Sequence, residues 1–106
     1  MSNGFLKKVI NLKENLEYQE NAIVSKTLIT RNNTSVTLFA FDKGQEISSH
    51  TAPVEAMVQA VEGEVEITIS NEKFNLKEGE IIIMPANEPH SLLAKTQFKM
   101  LLSKLE

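Results

Sequence analysis

The sequence predicts an all-β fold, a sandwich or closed barrel, preceded by a short irregular or helical N-terminal segment. Three observations carry this. Nine or so short apolar stretches follow one another at close spacing. Gly, Asn and Pro stand between them, where turns are needed. One stretch, EVEITIS (64–70), alternates cleanly, with Val65, Ile67 and Ile69 on one face and Glu64, Glu66 and Thr68 on the other. That is a strand with one wet side. A small closed barrel also encloses room for one ligand.

Each element has its own warrant. In the N-terminal segment, Asn11 and Glu14 form a capping pair, and Leu12 and Leu16 share a helical face, which predicts one or two helical turns over 11–18. AIVSKTLIT (22–30) is rich in β-branched residues, and RNNT (31–34) supplies a turn. TSVTLFAF (34–41) is a second apolar strand, closed by DKG (42–44). Strands are expected over 46–52, over 56–62 up to Gly63, and over 64–70. NEK (71–73) turns into FNL, and KEG (77–79) turns again. EIIIMP (80–85) is a continuous apolar run, the pattern of a strand buried on both faces, and Pro85 stops it. SLLA (91–94) and FKMLLSKL (98–105) complete the chain.

The chain has 106 residues, the size of one domain. It divides into an arm, residues 1–21, and a β-barrel domain, residues 22–106. The net charge of −3 and the absence of a Lys/Arg block longer than Lys7-Lys8 argue against nucleic acid as a partner. No basic amphipathic face or long apolar run points to a membrane. The first residues lack the apolar stretch of a signal peptide, so a cytoplasmic address is expected. Cysteine is absent, which removes disulfides, zinc–thiolate sites and thiol nucleophiles. The acidic runs Glu62, Glu64, Glu66 and Glu14, Glu17, Glu20 read as solvated faces. Ser48-Ser49 lacks the context of a nucleophile.

The chemistry gathers around two histidines, His50 and His90, the only ones in the chain. Gly44 precedes His50 by six residues, and Pro85 precedes His90 by five. The spacing resembles that of a small single-domain cupin of the conserved-barrel kind. The family's first motif is Gly, five residues, His, one residue, His, three or four residues, Glu, six residues, Gly. Here Gly44, His50 and Gly63 hold those places, while Ala52 replaces the second His and Ala56 the Glu. The second motif is Gly, five residues, Pro, one residue, Gly, two residues, His, three residues, Asn. Here Gly79, Pro85 and His90 match, with Asn87 in place of the Gly and Ala94 in place of the Asn. Asn for Gly is mild, because both accept positive φ.

The resemblance covers roughly residues 30–105 and implies a jelly-roll barrel, the cupin double-stranded β-helix. It also implies a divalent metal (iron, manganese, nickel or zinc) held by three imidazoles and a carboxylate on the inner wall. The two alanines remove half of that shell. His50 and His90 remain as candidate metal ligands, with Glu55 as a candidate third; Met84 and Gln59 are weaker donors. Parity counts against Glu55, since His50, Ala52 and Ala56 alternate together and Glu55 does not. The first reading is a pocket for a small molecule, lined by His50, Ala52, Ala56 and His90; the alternative is a metal-dependent enzyme, dioxygenase- or isomerase-like, with a reduced two-histidine ligand set. Whether the protein is an enzyme stays open. AIVSKTLIT would be an exposed edge if unpaired, and small cupins often pair through an N-terminal strand, so a homodimer is expected.

Overall fold

The computed structural model describes residues 4–106. It contains nine strands: β1 (Ile23–Arg31), β2 (Thr34–Phe41), β3 (Glu46–His50), β4 (Glu55–Glu62), β5 (Glu64–Ile69), β6 (Glu72–Lys77), β7 (Ile81–Met84), β8 (His90–Ala94) and β9 (Phe98–Leu105). They form a five-stranded sheet, β1-β2-β9-β4-β7, and a four-stranded sheet, β3-β8-β5-β6. All pairings are antiparallel. The two sheets face each other over one core that includes Phe41, Val58, Val65, Ile67, Leu92, Phe98 and Met100. The all-β jelly roll expected from the sequence is the fold observed.

Alternation sorts each strand between the core and the outside. In β9, Phe98, Met100, Leu102 and Lys104 share the inner face. The register sets Lys104 beside Ala56 on one side and Ser35 on the other, with Met84 next beyond Ala56. These four positions form the end layer of the larger sheet. In the smaller sheet His50 lies opposite His90, and His90 opposite Ile69, which makes the matching end layer.

Three expectations need correction. Residues 11–18 form turns, not helix. Asn11 does cap, accepting the backbone N–H groups of Lys13 and Glu14 on its side-chain oxygen. The following carbonyls are then taken by lysines of the larger sheet: Lys26 Nζ donates to the Asn15 carbonyl, and Lys99 Nζ to that of Lys13. The arm is thereby spread over the outer face of that sheet. Leu38 and Ala40, which point outward by parity, are 0% exposed there. The second correction concerns β7, which is not buried on both faces. It is a sheet edge, and its outward Ile81 and Ile83 are 54% and 56% exposed. A run of apolar residues cannot say which of its faces will find a neighbour. The third is β3, which ends at His50 and not at residue 52.

Candidate functional site

β3 carries the detail that aims His50. Ile47 pairs with Leu92 and His50 with His90, so Ser48 and Ser49 together oppose Ser91 alone. This is a β-bulge, one extra residue that reverses the alternation. Without it, Ile47 and His50 would point to opposite faces. With it both line the same cavity. The Ser48 carbonyl then accepts a hydrogen bond from His50 Nδ1 at 3.0 Å. The serine pair that offers no nucleophile context therefore has a structural task.

His90 is set by the turn after β7. Asn87 adopts φ 66°, the left-handed backbone that its place in the motif demands. Its N–H donates to the Ala52 carbonyl at 2.8 Å, tying the segment before His90 to the segment after His50. His90 Nδ1 donates to the Glu88 carbonyl at 3.2 Å. Each imidazole thus has its Nδ1 proton fixed by a backbone oxygen, and neither Nε2 has a hydrogen-bond partner among the described residues. The two rings lie edge to face with centroids 4.4 Å apart. His90 is only 5% exposed. Burial is the largest influence on it and pushes its pKa below the ordinary imidazole range. The Glu88 carbonyl works the other way, and the nearby His50 and Lys104 add to the lowering.

The rings open onto a cavity of about 130 Å³. Its floor and walls are apolar: Phe39, Ile47, Leu92, Met84, Met100 and Leu102. Ala52 and Ala56 stand on its lining, at the places where the resemblance calls for an imidazole and a carboxylate. All four residues read from the sequence as the pocket are therefore brought together. Met84 is there too, packed into the core. Glu55 and Gln59 are not. Glu55 is exposed and lines an adjoining open hollow with Asn33, Pro53 and Glu106. Ala56 turns inward beside it, as alternation requires. Among the described residues no three His, Cys, Asp or Glu side chains come together as metal ligands.

Lys104 is the residue that sequence reasoning missed. It lines the cavity and the outer hollow alike, and so does Ala52. The signal was present: in FKMLLSKL it closes the inward series Phe98, Met100, Leu102. A lysine that ends an inward-facing series brings its charge to the mouth of a barrel.

Residues 37–103 match the family model for the cupin domain. The chain is a cupin. Solved structures agree. A conserved protein of unknown function from Streptococcus pyogenes is 39% identical to this cupin, with a TM-score of 0.92, over 99% of this chain and 92% of that one. A cupin 2 conserved barrel domain protein from Leptotrichia buccalis is 41% identical, with a TM-score of 0.88. The match takes in 92% of this cupin and 47% of that chain. A cupin superfamily protein from Desulfitobacterium hafniense is 26% identical, with a TM-score of 0.88, over 93% and 91% of the two chains. A comparison with functionally curated proteins finds no match.

The metal that the fold family implies does not fit the residues present. Catalytic metals usually keep three protein ligands, and this cavity offers two imidazoles. The thioether of Met84 is a soft donor and suits a harder divalent ion poorly.

Proposed function

We propose that this cupin binds a small molecule in the cavity beside His50 and His90, without a resident metal, and works as a homodimer. The observation that carries the binding reading is the cavity itself. Two oriented imidazoles and the Lys104 side chain stand at one end of an otherwise apolar space, and the remaining ligand positions are the methyl groups of Ala52 and Ala56. An apolar chamber with a few convergent polar groups is the usual form of a small-molecule site. The dimer reading rests on the exposed β7 edge, where Ile81 and Ile83 stand as large apolar side chains in water, with Leu105 also exposed on the same sheet.

A rival reading, a metal-dependent enzyme with a two-histidine shell, has one observation in its favour. Backbone carbonyls fix both Nδ1 protons, which leaves Nε2 lone pairs of the kind that ligate metals.

The experiment is a thermal-shift screen of chelator-treated protein against a small-molecule library. The expected result is a raised melting temperature with one chemical class, lost in Ala56→Phe, which fills the cavity. Stabilisation should reach about 2.7 kcal/mol at a hundredfold excess over the dissociation constant. Stabilisers that act equally on Ala56→Phe would place binding elsewhere and remove the reading.

A further inference from the structure

The polar end of the cavity has a definite donor and acceptor pattern. Lys104 brings an ammonium, which only donates. Among the described residues it has no ion-pair partner: the ion pairs there are Lys13–Glu78, Lys73–Glu66 and Lys95–Glu66. Two acidic side chains share the outer hollow with it: Glu106 accepts from Asn33 Nδ2, and Glu55 forms no ion pair with Lys104. The two histidines have committed their Nδ1 protons to the Ser48 and Glu88 carbonyls, so in the neutral form each presents an acceptor at Nε2. A wholly apolar ligand would cover those lone pairs and leave them unpaired, at a cost. A ligand that fits must bring an anionic acceptor for Lys104 and a donor for the imidazoles.

The two demands fall close together. Lys104 belongs to the end layer of one sheet, with Ala56 and Met84. His50 and His90 belong to the end layer of the other. Deeper layers, with Ile47, Leu92, Leu102 and Met100, are apolar. The ligand's polar groups therefore share one end of the cavity, and its apolar part points inward. The cavity of about 130 Å³ limits that part: a dry apolar cavity of about 150 Å³ holds one benzene. The hollow beyond, which shares Lys104 and Ala52, keeps the charged group near water.

We propose that the ligand is a small 2-hydroxy carboxylic acid with a short apolar side chain, its carboxylate paired with Lys104 and its hydroxyl donating to the histidine pair. This rests on the reading of the cavity as a small-molecule site and names the chemical class that site takes.

The test is calorimetric titration of the wild type and Lys104→Met with three probes: 2-hydroxyisovalerate, its amide, and isovalerate. Methionine keeps an apolar stem of similar length at an exposed position, so the fold is retained. The hydroxy acid is expected to bind the wild type. The amide lacks the charge and isovalerate lacks the hydroxyl, and each is expected to bind at least about tenfold more weakly. Lys104→Met should bring the acid down to the affinity of the amide and leave the amide unchanged. Equal affinity of the acid and either analogue, or an acid indifferent to Lys104→Met, overturns the proposal while the small-molecule reading stands. Failure of all three probes at millimolar concentration overturns it as well. The small-molecule reading is then judged separately, by the library screen and its Ala56→Phe control.

Discussion

At the scale of the residue, His90 shows how position sets chemistry. It is buried at the end of an apolar cavity that Leu92 and Met84 also line, with His50 beside it on the neighbouring strand and Lys104 on the opposite sheet. Burial, then the two nearby basic groups, disfavour its protonation, and only the Glu88 carbonyl opposes them. The folded chain therefore holds a proton on His90 less readily than the unfolded chain does. The sign follows: this group costs no stability above the unfolded value of about 6.5, and stability falls as the pH drops below it. We predict that NMR titration gives His90 a midpoint below the ordinary imidazole value, and that Lys104→Met moves the midpoint up. A midpoint unmoved by that substitution would mean that Lys104 does not reach the histidines. Ala52 and Ala56 matter at the same scale through what they lack. A methyl group neither ligates nor donates, so the inner wall changes from a coordination shell to a surface for packing.

At the scale of the element, two local devices aim the histidines: the Ser48-Ser49 bulge of β3 and the left-handed Asn87 turn before β8. Asn87 was legible in the sequence, because a motif position reserved for Gly had kept a residue that tolerates positive φ. The bulge was not. Alternation counted from His50 through Ala52 to Ala56 gives the right face for all three, but it cannot show that Ile47 shares it. Nor could β7 be placed from IIIM, since burial of its outer face depends on a covering layer that the fold does not provide there. The N-terminal turns escaped for a similar reason: the lysines that claim their carbonyls stand on β1 and β9, outside the segment itself. The turn between β4 and β5 supplies a test at this scale. Gly63 has φ 81°, and a Cβ there would lie 2.1 Å from the Gln97 carbonyl oxygen. Gly44 has φ 83° and open space around it. Ala at Gly44 should cost about 1 kcal/mol for its backbone alone. Ala at Gly63 should cost about 3 kcal/mol, since overpacking adds to the same backbone term. Urea denaturation of the two variants measures the difference, and equal losses would show that the close approach to Gln97 is relaxed at no cost.

At the scale of the whole molecule, the two faces of the larger sheet have different fates. Its inner face builds the core and the cavity. Its outer face is partly covered by the arm, over Leu38 and Ala40, and partly bare around Ile81, Ile83 and Leu105. Light scattering is predicted to give the mass of two chains, and Ile83→Glu that of one; a wild-type mass of one chain would remove the homodimer. On the proposed reading this cupin keeps the frame of the fold, with a ligand pocket where the family holds a metal shell. The most direct test is metal content by elemental analysis of untagged protein, purified without chelator and incubated with iron, manganese, nickel and zinc. Ala52→His/Ala56→Glu, which restores the missing ligands, and His50→Ala/His90→Ala stand beside it. A metal-free pocket should give far less than one metal per wild-type chain and close to one per chain in the restored variant. Near one metal per wild-type chain, lost in His50→Ala/His90→Ala, would contradict it and make this cupin a two-histidine metalloprotein.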